Sequence, residues 1–330
     1  MTATVVDAGE ARAATGPDAV GGAALTPQSL IRLDYFPPDP DLAPYITTFY
    51  LFRCDEAVIR DIQPASPGHL HVYLAGEGTL HFPGGRDERA HPVSLMGPMT
   101  AAAPFTVTGT FHTVGAVLAP LGWAALTGLH ASENADRLLD AVTIFGPEAA
   151  AMGERVRALY AADPDGSGAA MAAEIAAFIR ARLGPLPDKH VALVRATVDW
   201  MGTSLDPKVE DLYARLDYSP RQVQRLVACY FGSNPTHLAR KYRATRVAAL
   251  LAQPGIDDHA VAALTDHFYD QPHMIREIRE FIGRTPARLG KGDAPILEAV
   301  VNVRNFVQIK PHIAPLPEDL APVEKDADDA

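Results

Sequence analysis

The sequence predicts an α+β multidomain chain. A small N-terminal β-barrel with accessory helices comes first, then an all-α domain of two helix-turn-helix units joined by a linker helix. Three observations support this. Between residues 31 and 119, short apolar runs alternate with Pro, Gly and Asp, the spacing of a small antiparallel sheet protein. The period then becomes helical at 121–129, 147–161 and 169–183. After Gly184-Pro185-Leu186-Pro187, apolar residues recur at three- and four-residue intervals almost without a break to residue 289. At 330 residues and 48% apolar, the chain can fill two cores.

Residues 1–29 are rich in Ala, Gly and Thr, lack periodicity, and read as a disordered lead-in. Residues 30–185 make the first domain. Strands are expected at 45–52, 70–74, 105–110 and 111–118, and Gly84-Gly85 reads as a hairpin turn. Residues 188–292 make the second domain, with about seven short helices. One stripe runs through Val191, Val194, Val198 and Met201, another through Val223, Leu226, Val227, Tyr230 and Phe231. The remainder, 293–330, is a Pro-containing acidic tail in which 296–309 fits helix or strand.

A formal net charge of -11 argues against a polyanionic partner for the chain as a whole. The charge is unevenly spread, however. Residues 188–292 hold about 15 Lys/Arg against about 12 Asp/Glu, while the segments on either side are acidic. Two cysteines, Cys54 and Cys229, cannot build a disulfide framework, which suits a reducing compartment. The N-terminus lacks a basic region followed by an apolar run, and the apolar stretch 114–129 is too short to span a bilayer and contains Pro120. A soluble, cytoplasmic protein without a membrane partner is expected.

The chemistry-bearing pattern lies in the helical half. A helix ending near Leu216 meets the turn Asp217-Tyr218-Ser219, and a second helix follows. Ser219 suits the N-cap, and Pro220 suits the first helical position, where its missing N–H is not needed. With Val223, Leu226 and Val227 inward, this helix leaves Arg221, Gln222, Gln224 and Arg225 on its outer face. Arg can hydrogen-bond guanine, and Gln adenine, through two bonds each in the major groove. The pattern returns about fifty residues later. Residues 258–268 form a helix, Tyr269-Asp270 a turn, and Gln271, His273 and Arg276 occupy the matching face of the next helix behind Pro272. Between the units, residues 236–253 form a helix of about 27 Å at the usual rise, on the order of one DNA turn.

These residues resemble the DNA-binding domain of the AraC/XylS-type transcription regulators over 188–289. The resemblance is carried by Leu216-Asp217-Tyr218-Ser219-Pro220-Arg221-Gln222-Val223-Gln224-Arg225 and Tyr230-Phe231-Gly232, then by Phe268-Tyr269-Asp270-Gln271-Pro272-His273-Met274-Ile275-Arg276 and Phe281-Ile282-Gly283-Arg284-Thr285-Pro286. It implies that Arg221, Gln224, Arg225, Gln271, His273 and Arg276 face bases or phosphates of double-stranded DNA. Where the family usually has Gly in each inter-helix turn, this chain has Asp217 and His267. Both residue types tolerate positive φ better than most.

Residues 31–160 more loosely resemble the cupin-like sensor part of a subset of these regulators, through Pro67-Gly68-His69-Leu70-His71-Val72-Tyr73, Met96-Gly97-Pro98-Met99-Thr100 and 114–123. That implies a domain that senses a small-molecule effector or mediates dimerisation. His69 and His71 alternate on one strand and share a face; with His112, and with Glu77 or His81, they are the candidate metal ligands. Five residues separate His71 from Glu77, a loose fit to the cupin ligand spacing, so hydrogen-bonded histidines are preferred and no metal or other cofactor is assigned. No nucleophile triad or phosphate-cradling Gly loop is present.

The expected function is therefore a non-enzymatic, effector-controlled regulator that binds specific DNA. RNA polymerase would be a further partner if it activates, and a homodimer is compatible with the resemblance. Two alternatives stay open: a metal-dependent cupin enzyme with a helical interaction domain, and a regulator homologue that no longer binds DNA.

Overall fold

A computed structural model describes residues 31–253, 256, 258–289 and 295–301. The expected lead-in at 1–29 and the tail beyond residue 301 lie outside the described residues.

The N-terminal half holds eight strands: β1 (Ile31–Phe36), β2 (Ile46–Cys54), β3 (Val58–Gln63), β4 (Gly68–Phe82), β5 (Arg86–Arg89), β6 (Val93–Met96), β7 (Ala103–Leu118) and β8 (Leu138–Asp140). Gly84 and Gly85 turn between β4 and β5 with φ of 85° and 79°, the hairpin the sequence predicts. Residues 105–110 and 111–118, expected as two strands, are parts of the single strand β7.

The small barrel expected for this half is not formed. The sheet runs β1-β2-β7-β4-β6-β8, with β3 added to β7 and β5 to β4, and its end strands β1 and β8 do not pair. Closure needs the two end strands to exchange hydrogen bonds. Here the long strands β4 and β7 pair antiparallel along most of their length, with register shifts between Tyr73 and Glu77 of β4. Gly76 carries a φ of 86° at a register shift of β4, and a Cβ there would lie 2.2 Å from the Thr110 carbonyl oxygen. Only glycine permits that approach.

Strand alternation divides the sheet into two faces. Leu51, Leu70, Val72, Val114 and Ala116 point to one side and pack against α3 (Pro147–Ala162) and α4 (Gly168–Arg180) through Met152, Val156, Met171 and Ile175. Two shorter helices, α1 (Pro120–Thr127) and α2 (Ala141–Phe145), complete this half. The opposite face, which presents His69, His71 and Tyr73, looks towards the helical half.

Residues 188–289 form six α-helices rather than about seven: α5 (Asp188–Met201), α6 (Val209–Ala214), α7 (Pro220–Phe231), α8 (Pro235–Leu251), α9 (Asp258–Thr265) and α10 (Gln271–Ile282). A single 3-10 turn, Pro286–Arg288, follows them. Residues 295–300, assigned by the sequence to the tail, form α11 (Pro295–Val300) and lie against β3. Asp61 of β3 draws α11 in by accepting the N–H groups of Ile296 and Leu297 at 2.8 and 3.3 Å.

The halves share cores. Ile62 and Ala65 are buried with Phe281 and Ile282 of α10, and Tyr45 and Leu121 pack with Leu193 and Tyr230. No helix among the described residues is long and apolar enough to cross a membrane.

Candidate nucleic-acid interface and enclosed cavity

In the first unit, α6 leads through Ser219 into α7. Ser219 is extended (φ -63°, ψ 151°), and its hydroxyl accepts the Gln222 N–H, while the Gln222 carboxamide oxygen accepts the Ser219 N–H and O–H at 3.0 and 2.9 Å. This is a complete capping box with Pro220 in the first turn. The helix ends on Gly232, which has φ of 87° and closes the last turn through the Ala228 carbonyl. Ser219 and Gln222, both expected at DNA, thus spend their side chains on the cap. Gln224 donates to the Tyr213 hydroxyl on α6 at 3.0 Å. Arg221 and Arg225 are exposed and form no ion pair or hydrogen bond among the described residues.

The second unit repeats this design. Asp270 accepts the His273 N–H at 2.7 Å, Pro272 lies in the first turn of α10, and Gly283 ends it with φ of 83°. Gln271 and Arg276 are exposed. His273 departs from expectation: its Nε2 lies 3.2 Å from Glu277 Oε1 and its ring stands edge-on to Phe268. Glu277 is 0% exposed and also binds Arg240 at 2.5 Å and Arg243 at 2.6 Å. His273 is therefore drawn towards this buried cluster between α8 and α10. Neither Asp217 nor His267 takes positive φ; Asp136 is the one non-glycine residue that does among the described residues. The inter-helix turns form without the conformation that glycine favours.

One residue passed over in the sequence is Tyr269. It precedes the Asp270 cap and is 92% exposed, although most tyrosines bury their rings. An aromatic in the turn directly before a cap was the available signal.

The linker α8 supplies little free charge. Arg240 and Arg243 bind Glu277, Arg246 is buried against the Tyr242 and Met201 carbonyls, and Lys241 donates to the Met99 carbonyl. Burial pulls the Lys241 ammonium down to about 8. The exposed cations left for a polyanion among the described residues of the two units include Arg215 at the end of α6, Arg221 and Arg225 in the first half of α7, and Arg276 midway along α10. The C-terminal ends of α7 and α10 are held on the sheet half. Gly232 abuts Pro98, Gly283 abuts Ile62, and the Phe281 and Glu280 carbonyls accept the Ala65 and Ala102 N–H groups at 2.8 and 2.9 Å.

A cavity of about 280 Å³ lies between the polar-looking sheet face and the helical half. Tyr50, Phe52, His69, His71, Tyr73 and Phe111 form much of its wall; Tyr242 and Thr245 of α8 and Ile296 and Val300 of α11 close it from the other side. Gly115, opposite His71 in β7, makes the room: a Cβ there would fall 2.7 Å from His71 Cβ and 3.0 Å from the Tyr50 hydroxyl. Burial pulls the His69 imidazole down to about 4 and His71 to about 3, the latter helped by its neighbour His69. His69 Nδ1 meets the Tyr50 hydroxyl at 3.3 Å, whereas Nε2 of both histidines and Oγ1 of Thr47 are buried without a partner. A buried polar group left unpaired costs about 1–3 kcal/mol.

The candidate metal ligands are dispersed. His112 lies between Phe111 and Thr113, on the opposite face of β7, with Nε2 2.9 Å from Asp55 and Nδ1 2.6 Å from the Tyr160 hydroxyl. His81 is engaged by Asp87 and Thr106, and Glu77 is exposed. Among the described residues no group of three or more His, Cys, Asp or Glu is placed to hold a metal ion. The ligand set that the enzyme alternative requires is not assembled.

Two family models match the chain: a helix-turn-helix domain over residues 212–292 and a domain of unknown function (DUF6597) over residues 34–140. No curated protein matches it. Among solved structures it is similar to ToxT from Vibrio cholerae, at 10% identity over 74% of this chain and 97% of that one, with a TM-score of 0.39 that supports no closer comparison. The helix-turn-helix domain thus follows a sheet half that matches a domain of unknown function, the two-part order expected from the resemblance to the AraC/XylS-type regulators, and the chain is a DNA-binding transcription regulator.

Proposed function

We propose that this regulator reads duplex DNA with the N-terminal ends of α7 and α10, and that a small-molecule effector in the cavity controls how those ends are presented. Arg221, Arg225, Gln271 and Arg276 are the side chains assigned to bases or phosphates, and the exposed Tyr269 to the sugar-phosphate backbone. Gln224 supports Tyr213, while Ser219, Gln222 and His273 act through local structure rather than by reaching DNA. The observation that carries the reading is the shared design of the two helices: each is capped at its N-terminal end, carries an exposed arginine as its sixth residue (Arg225, Arg276), and is held on the sheet half at the other end. The cavity supports the effector role because residues of α8, between the two units, form part of its wall. An occupant in contact with both halves can bias the arrangement of the units, a shift between populated states.

The test is fluorescence anisotropy with duplex DNA from the region upstream of the chain's own gene, beside a scrambled duplex, at several salt concentrations. Arg225→Ala and Arg276→Ala are each expected to weaken selective binding by about 1–3 kcal/mol. Unchanged affinity in both variants, on a duplex the parent protein prefers, would remove the base-reading assignment.

A further inference from the structure

No Asp, Glu, Lys or Arg among the described residues lines the cavity. A carboxylate bound there would face no cation and an ammonium no anion, and an unpaired charge is the least tolerable group to bury. The hydrogen-bonding atoms of the wall are uncharged as well: burial keeps both imidazoles neutral at neutral pH and raises the Tyr50 and Tyr73 phenols well above their ordinary range.

Aromatic rings make up part of the apolar wall. Phe111 packs on Phe52 at 5.0 Å, on Phe105 at 5.8 Å and, nearly parallel, on Tyr73 at 5.9 Å between ring centroids. Tilted to one another by 27° to 58°, these rings offer both faces and edges to an aromatic partner, beside the aliphatic Leu33, Leu80, Val107 and Val117. His69, His71 and Thr47 also line the cavity, but His69 Nε2, His71 Nε2 and Thr47 Oγ1 have no accessible surface on it. The 280 Å³ volume is nearly twice the roughly 150 Å³ apolar cavity that accepts benzene, room for about ten to fifteen non-hydrogen atoms.

We propose that the cavity binds an uncharged, ring-bearing molecule whose ring lies against Phe111 and Tyr73. This rests on the cavity being the effector site and names the ligand class that site takes.

Titration calorimetry on the full chain at pH 7.5 tests it, with 2-naphthol, 2-naphthoate and 2-naphthylmethylammonium as probes. 2-Naphthol is expected to bind once per chain and more than about tenfold tighter than either charged probe. Phe111→Leu, which keeps an apolar side chain and removes the ring, should weaken 2-naphthol by about fivefold or more. Phe111→Tyr, which retains the ring, should bind 2-naphthol nearly as well as the parent protein, so a misfolded variant would not hide the effect. Charged probes binding as well as 2-naphthol, or no binding of 2-naphthol, would overturn the ligand class.

A separate variant isolates the underlying reading. Thr245→Phe drives a ring from α8 into the cavity. If it alters DNA affinity while 2-naphthol fails to bind, the effector site stands and the ligand class is wrong. If neither the probes nor Thr245→Phe affects DNA affinity, the effector reading itself fails.

Discussion

At the scale of single residues, burial decides charge, and it does so with opposite signs at two places. His69 and His71 titrate at about 4 and about 3 against an ordinary 6.5 because the cavity wall takes them out of water. Near pH 5 the unfolded chain protonates both and the folded chain neither. Their contribution to stability is thus present above pH 6.5 and is lost as pH falls towards those lower values. Asp61 runs the other way. Burial raises its carboxyl from 3.8 to about 6, against the pull of the Ile62, Ile296 and Leu297 N–H groups and of Arg284. The folded chain protonates it near pH 5 and the unfolded chain does not, so its contribution is present below pH 3.8 and is lost as pH rises through about 6. Two protons favouring the unfolded chain against one favouring the folded leave these three groups raising stability by about 1.4 kcal/mol per pH unit near pH 5. In Asp61→Asn the opposing proton is gone, and the slope should increase by about another 1.4 kcal/mol per unit. Urea unfolding at several pH values around 5 measures it. An unchanged slope would mean that Asp61 remains ionised in the folded chain.

At the scale of elements, the two recognition helices are defined by their ends. Ser219→Ala removes the hydroxyl that accepts the Gln222 N–H and the partner of the Gln222 carboxamide. It is expected to cost about 1 kcal/mol of stability, read as a lower urea midpoint, with Arg221→Ala as the exposed control. Equal midpoints in the two variants would show that the cap adds nothing. Such ends were legible in the sequence because capping is local: Ser219-Pro220 and Asp270-Gln271-Pro272 carry the required donors, acceptors and fixed φ within four residues. The outer-face side chains were less legible, since an exposed-face pattern does not reveal a partner on another helix. Gln224 finds Tyr213, and His273 finds Glu277, whose burial depends on Arg240 and Arg243 of α8. The strands show the same limit. Alternation along β4 correctly placed His69 and His71 on one face, but it could not say that α8 and α11 lie across this face. Nor could it say which edge strands meet, and so the open sheet was read as a barrel.

At the scale of the whole molecule, β3 is where the sheet half meets the second helix-turn-helix unit. Successive residues serve two helices: Asp61 caps α11, and Ile62 packs in the core of α10 against Gly283, where a Cβ would come within 2.6 Å of Ile62 Cγ2. The neighbouring Ala65 and Ala102 N–H groups fix the same helix end by its carbonyls. The first unit is held elsewhere, through Gly232 against Pro98 and α7 against the 3-10 turn Ala131–Glu133. Separate attachments allow the units to be loosened one at a time. Ile62→Ala should lower overall stability by about 2–5 kcal/mol, as expected for a large aliphatic side chain lost from a core. Its sharper consequence concerns DNA. Because Ile62 belongs to neither reading unit, its loss should relax discrimination only where α10 reads. Base changes in that half-site should weaken binding less than they do for the parent protein, while changes in the half-site read by α7 keep their full effect. Anisotropy with duplexes altered in one half-site at a time provides the comparison. Equal relaxation at both half-sites would mean that the two units move as one body on the sheet, and full discrimination at both would mean that β3 does not position α10 for DNA.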